Sequence, residues 1–229
     1  MAQLLVRNGE AGGASFVVDL PARGQVVARL SGDVDWTRPL ARATYAAVDG
    51  SAASTEYEWD RSTVIAAVPG LEAAMAADGR GGVTWASRPL DPTTTALDAV
   101  FALIFTLSSD RPENPQLLVQ AGARSLGRRT VDGQASEGFR YSPTVTYWVG
   151  VSDGLIHRVD ARFKTFSDPL VLRLTRQGPR TLRQPQRSEV VDASTIPDIY
   201  QRLTGHPAPT TPTGPASTTT APAPSTTGP

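Results

Sequence analysis

Two pairs of carboxylates are spaced to share a strand face. Asp33 and Asp35 in Gly32-Asp33-Val34-Asp35-Trp36, and Glu56 and Glu58 in Thr55-Glu56-Tyr57-Glu58-Trp59, each stand two residues apart. On an extended chain that spacing points both side chains the same way. The chemistry it would allow is a proton-sharing acid pair. Both pairs read instead as solvated polar faces, with Tyr57 and Trp59 taking the opposite face in the second. The two histidines are His157, in an expected strand beside Arg158, and His206, at the start of the C-terminal tail. With only scattered carboxylates around them they make no metal-ligand pattern. The chain contains no GxSxG elbow, Walker A loop, strand-linked GxGxxG or HExxH. It also has no cysteine, which removes thiolate nucleophiles, disulfides and Cys-ligated metal or iron–sulfur centres. The reading is a chain that is not an enzyme, with no metal and no cofactor.

Basic residues gather late: Arg158, Arg162, Lys164, Arg173, Arg176, Arg180, Arg183 and Arg187, against Asp160 and Asp168. One reading makes Arg158, Arg173, Arg176, Arg180 and Arg183 a contact set for an anionic surface or lipid headgroups. The other makes them an outer strand face whose charges keep a sheet edge soluble. No aromatic platform is interleaved with them, as a single-stranded nucleic acid would need. The whole chain balances 22 Lys+Arg against 22 Asp+Glu, with a pI near 6.7, and so lacks the basic excess of a nucleic-acid binder.

The 229 residues, 40% of them hydrophobic, suffice for one well-buried domain and something extra. The extra is a tail over residues 206–229. From Pro207 onward it holds only Pro, Thr, Ala, Ser and Gly, including seven of the 19 prolines. It is expected to be disordered, because such a composition cannot offset its own conformational entropy. Residues 1–13 read as the remnant of a longer N-terminus, since neither a basic n-region nor an apolar h-region of a secretory signal is present. The domain proper then spans residues 14–205.

Within it most segments read as strands: 14–20, 25–36, 40–48, 54–59, 62–68, 123–130, 138–141, 144–151, 155–163, 170–175 and 180–184. Asp49-Gly50, Asp132-Gly133 and Asp153-Gly154 are hairpin signals between them. One helix stands out. Asp91-Pro92 reads as its cap and first position, and Leu97, Val100, Phe101, Ile104 and Phe105 fall on one face. The other face is apolar too, which marks a buried helix. Asn114-Pro115 opens a shorter helix that Gly122 ends. The fold class that follows is α+β: a strongly curved antiparallel half-barrel sheet wrapped over a buried plug helix, with a short second helix.

Several stretches carry a family resemblance. Trp59-Asp60-Arg61-Ser62-Thr63-Val64 looks like a strand-to-strand step. Trp85-Ala86-Ser87-Arg88-Pro89-Leu90-Asp91-Pro92 looks like the lead into a plug helix, and Asn114-Pro115-Gln116-Leu117-Leu118 like the short helix before the next strand. Arg129-Thr130-Val131-Asp132-Gly133 looks like a family turn. Tyr147-Trp148-Val149, continued by Asp153-Gly154-Leu155-Ile156-His157-Arg158-Val159-Asp160, looks like a characteristic hairpin. Together, over roughly residues 14–190, the chain resembles the LolA-like superfamily of extracytoplasmic lipid carriers. Its closer likeness is to the actinobacterial LppX/LprG-type lipoproteins, and the periplasmic sensor RseB shares that fold. The lipoprotein branch is anchored through an acylated cysteine, which this chain lacks.

The resemblance implies a monomeric, non-catalytic binding protein of the cell envelope that holds the acyl chains of a lipid or lipidated ligand in a hydrophobic cavity. Each buried CH₂ would contribute about 0.8 kcal/mol. The residues expected to line that cavity are Val100, Phe101, Ile104 and Phe105 of the helix, with Trp59, Trp85 and Tyr147 at its rim or wall. The alternative is a sensor or interaction module on the same fold, without cargo, that meets an envelope protein or a membrane surface.

Overall fold

In the computed structural model of the chain, the described residues are 2–164, 166 and 168–209. The disorder expected of the tail falls on residues 210–229, which lie outside them. Strands β1 (Gly13–Ala22), β2 (Gln25–Asp35), β3 (Leu40–Ala47), β4 (Thr55–Trp59), β5 (Thr63–Ala67) and β6 (Trp85–Pro89) form an antiparallel meander. A second meander holds β7 (Arg124–Val131), β8 (Gln134–Ser142), β9 (Val145–Gly150), β10 (Ile156–Ala161) and β11 (Leu170–Thr175). Antiparallel pairing of β1 with β11 joins the two meanders into one sheet. A twelfth strand, β12 (Val190–Asp192), adds to β6 in parallel. The sheet therefore runs β12-β6-β5-β4-β3-β2-β1-β11-β10-β9-β8-β7, an open half-barrel.

Of the Asp-Gly hairpin signals only Asp132-Gly133 forms a two-residue turn, since Asp49-Gly50 and Asp153-Gly154 lie in longer loops. Arg23-Gly24 and Asp132-Gly133 both take positive φ, as two-residue hairpins joining right-twisted strands require. Gly32 answers to sterics rather than φ. A Cβ there would overlap the Arg42 carbonyl and Ala43, so β2 and β3 close up only around a glycine.

The helices are α1 (Leu4–Glu10), α2 (Leu71–Ala77), α3 (Ala96–Phe105), α4 (Pro115–Gln120) and α5 (Pro197–Thr204). The connection from β6 to β7, at opposite ends of the strand order, carries α3 across the concave side of the sheet. There Val100, Phe101 and Ile104 are fully buried against inward-facing Phe16, Leu30 and Trp59. A satellite core forms where α2 and α5 bring Leu71, Met75, Ile196 and Tyr200 against Ala86 of β6.

Several expectations are corrected. The cap of α3 is Thr95, whose hydroxyl accepts from Asp98 N–H at 3.0 Å. Asp91 instead closes a turn by accepting from Thr93. Residues 180–184 form no strand. Pro179 and Pro185 interrupt that stretch, and prolines supply no ladder donor. The sheet is mixed rather than wholly antiparallel, because of β12. Residues 2–12, read as a remnant, contain α1, whose Leu4 and Leu5 belong to the main core.

Candidate ligand cleft

The middle of α3 is buried, with Val100, Phe101 and Ile104 fully covered. Trp59 stacks on Phe101 with ring centroids 4.2 Å apart, and Phe16 meets Trp59 edge-on at 6.1 Å. Trp59 Nε1 donates to the Phe101 carbonyl at 3.2 Å, and Trp36 Nε1 to the Ile104 carbonyl at 3.3 Å. Beyond the helix end, Asn8 of α1 donates through Nδ2 to the Leu107 carbonyl at 2.7 Å. Of these, the Ile104 carbonyl lies in the last turn of α3, where carbonyls lack i+4 partners inside the helix, and a buried donor binds it. Of the seven residues expected to line a cavity, Val100, Phe101, Ile104 and Trp59 are brought together as closed core, with Phe105 beside them. Tyr147 is also buried, beside Tyr141 at 5.4 Å. Trp85 joins none of them. Ala86 lies in the core and Arg88 reaches Asp98 of α3, and strand alternation places Trp85 on the other face of the sheet.

An apolar cleft of about 730 Å³ opens one turn earlier, at the mouth of the half-barrel. Its walls are Leu20, Ala28, Tyr45 and Tyr57 of β1–β4, its floor is Ala96 and Leu97 of α3, and Phe166 and the β1–β2 tip complete the rim. The volume sits within the roughly 300–1,000 Å³ usual for small-molecule sites. Tyr57 packs its ring 5.4 Å from Phe101, linking the cleft to the core. Burial pushes the Tyr57 phenol above its ordinary value, against the opposing pull of Arg88. The helix turn beneath the cleft is held in place by a buried ion pair. Arg88 grips Asp98 with both Nη atoms at 2.6 Å, and Asp91 N–H adds a third bond at 3.0 Å. Burial alone would lower the Arg88 guanidinium, but the Asp98 carboxylate outweighs it and raises the guanidinium. Sequence reasoning placed Leu97 on the apolar helix face and Tyr57 opposite the glutamates, yet assigned neither to the site.

The carboxylate pairs have separate fates. Asp33 accepts from Ser15 Oγ at 2.6 Å and Arg180 Nε at 3.1 Å, whereas Asp35 binds the turn donors of Thr37 and Arg38. Burial raises Asp35, and those donors more than reverse it. Glu56 pairs with Arg42 at 2.5 Å. The solvated reading is corrected at Asp35, whose side chain is only 2% exposed, and equally at Glu58. Neither Glu58 oxygen has a hydrogen bond, and Arg42 Nη1 stands 3.3 Å away. Desolvation pushes Glu58 up to about 7. Register places Glu58 two strands on from Asp33, in line through Arg42.

The arginine set is largely neutralised. Arg158 pairs with Asp160 at 2.7 Å and Asp132 at 3.2 Å, and Arg173 with Asp19 at 2.5 Å and Asp132 at 3.3 Å. Arg176 and Arg183 are exposed. Among the described residues, no cluster of three metal-ligating side chains occurs and no helix is long and apolar enough to cross a membrane.

No protein-family model and no curated protein matches the chain. Among solved structures it is similar to the lipoprotein LppX of Mycobacterium tuberculosis, at 10% identity and TM-score 0.45 over 78% of this chain and 94% of that one. An uncharacterized conserved protein of Thermus thermophilus matches at 10% identity and TM-score 0.42 over 81% and 94%. MucB, in the MucA/MucB complex of Pseudomonas aeruginosa, matches at 14% identity and TM-score 0.33 over 79% of this chain but 56% of that one. At such identities the likeness is of architecture, not of site residues.

Proposed function

We propose that this chain is a non-catalytic binding protein of the cell envelope that takes the acyl chain of a lipid or lipidated ligand in the cleft at the mouth of its half-barrel. The observation that carries the reading is the cleft itself: a concave, mainly apolar volume framed by Tyr45, Tyr57 and Leu97 and held open by the clamped first turn of α3. Apolar walls with few polar groups select for hydrocarbon, and each CH₂ removed from water contributes about 0.8 kcal/mol. The reading differs from the sequence expectation in its residues. Contact belongs to Leu97, Tyr45 and Tyr57 rather than to Phe101 and Ile104. The partner reading through the arginine face draws less support, because Arg158 and Arg173 already spend their charge on Asp19, Asp132 and Asp160.

The test is titration of a fluorescent fatty-acyl probe. The wild-type chain binds it, and Leu97→Glu, which puts a carboxylate on the cleft floor, weakens binding at least about tenfold, the cost of burying an unpaired charge. Phe101→Leu leaves probe affinity unchanged. A wild-type chain that never binds the probe ends the proposal.

A further inference from the structure

The twelve-stranded sheet ends differently at its two edges. At one edge the short β12 is added to β6, while at the other β7 has a strand on one side only, β8. The two-residue Asp132-Gly133 turn fixes which backbone groups of β7 stay free. Val131 and Gln134 flank that turn and exchange their bonds, and by the alternation of an antiparallel ladder so do Arg129 and Ser136. Arg128 and Thr130 therefore point N–H and C=O away from β8. The neighbouring ladder agrees, since Ala135, opposite Thr130, gives its carbonyl to Val151 N–H at 3.0 Å, on the β9 side.

This free edge is basic. β7 reads Arg-Ser-Leu-Gly-Arg-Arg-Thr-Val, without an acid. Arg124, Arg128 and Arg129 are exposed, and none of them forms an ion pair among the described residues. Glu137, opposite Arg128, accepts from Ser125 Oγ at 3.3 Å instead. Arg124 stands opposite Arg140, like charge facing like, which an anionic neighbour would relieve. Alternation sends the arginines to both faces. Arg129 lies over the Trp148 ring, 4.1 Å from its centroid. Arg128 lines a depression of about 530 Å³ together with Arg7 of α1 and the apolar Leu4, Phe139 and Val149.

We infer that β7 takes an extended acidic segment of a partner protein as an added strand. The free backbone groups of Arg128 and Thr130 join it, with carboxylates beside Arg129 on one face and beside Arg128 and Arg7 on the other. Added strands draw affinity from main-chain bonds and selectivity from sites for alternate side chains. Edge arginines turn away neutral and basic strands and favour one that bears carboxylates. A second copy of the chain is the poorer occupant, because β7 laid against β7 sets arginines against arginines. The inference stands apart from the acyl cleft, whose walls belong to β1–β4 and α3.

The test is fluorescence anisotropy of the full chain with a dye-labelled peptide of alternating valine and glutamate. Its lysine counterpart is one control. The other is a copy N-methylated along its backbone, which keeps the carboxylates and loses the main-chain donors. The wild-type chain should bind the glutamate peptide, bind it more weakly in added salt, and ignore the lysine one. N-methylation should weaken binding about tenfold, as the loss of a few hydrogen bonds predicts. R128E/R129E should weaken it by about tenfold as well. T130P removes an outward donor while sparing the β7–β8 ladder, and should cost about fivefold in affinity with circular dichroism unchanged. Wild-type chain that never binds the glutamate peptide overturns the inference. So does equal binding of the N-methylated copy, which would reduce the edge to charge attraction alone, and so does R128E/R129E binding like wild type.

Discussion

The two ends of α3 lie under the same sheet, yet at one end buried donors bind the chain's carbonyls and at the other the helix faces an apolar cleft. Where α3 finishes, Trp59, Trp36 and Asn8 bind the carbonyls of Phe101, Ile104 and Leu107, and Leu4 and Leu5 of α1 add to the core. Where α3 begins, Ala96 and Leu97 face a cleft of about 730 Å³ with no element laid across it among the described residues. Both ends present apolar side chains from alternate strand positions. Cover from elsewhere in the chain separates them: at one end a helix that precedes the sheet in sequence, at the other only hairpin tips. The apolar cleft of this chain therefore lies at the end that distant segments leave uncovered, not along the most apolar turns of the helix.

The strongest test of that contrast removes a side chain from the buried part of α3. Phe101→Ala deletes the ring stacked on Trp59 at 4.2 Å, and a fully buried Phe→Ala costs about 3–5 kcal/mol. Urea unfolding should show that loss as a lowered midpoint with little change in slope. A cost under about 1 kcal/mol would mean that the interior collapses easily around the gap, and the contrast between the ends would break.

Glu58 sharpens the same contrast by pH. Its carboxyl is pushed up to about 7 in the folded chain from an ordinary value of 4.5, so folding favours its neutral form. The associated stability is full below pH 4.5 and is lost as pH rises through 7, the reverse of an ion-paired carboxylate. At about 1.4 kcal/mol per unit the loss is on the order of 3 kcal/mol at most, with Arg42 already counted in the shift. Glu58→Gln should flatten stability between pH 5 and 7.5, measured by urea midpoints at each pH. A wild-type profile that is already flat there would place water at the carboxylate.

Much of the sheet was legible because its determinants are local. Asp132-Gly133 takes the positive φ its hairpin needs, and the expected alternation holds over Ala28–Leu30 of β2, while exposed Val26 and buried Asp35 depart from it. Asn114-Pro115 caps α4 as its residues predict. Elements whose stability is tertiary were not legible. α1 and α2 are seven residues each, too short to form without a surface to pack on, and β12 is three residues that gain a ladder only beside Trp85–Ser87. The cleft failed to show for the same reason. Periodicity put Leu97, Val100, Phe101 and Ile104 on one stripe, but which turn of that stripe stays open depends on Trp36 and α1, distant in sequence.

The smallest stability effect belongs to the open end, and it separates binding from folding. Leu97 is the second residue after the Thr95 cap and is only half-buried. Leu97→Glu gives up part of a contact with the cleft wall. It keeps a good helix former, and it adds a negative charge in the first turn, where the macrodipole favours one. Asp98 next to it stays engaged by Arg88 through two bonds, so the new carboxylate has no cause to unseat the clamp. These terms nearly cancel, and the urea midpoint of Leu97→Glu should correspond to a change within about 1 kcal/mol of wild type. Coupled with lost acyl-probe binding, that outcome would show a residue whose side chain serves the cleft rather than the fold. A destabilisation as large as that of Phe101→Ala would show the opposite, that the mouth is as tightly packed as the far end and that no cleft separates them.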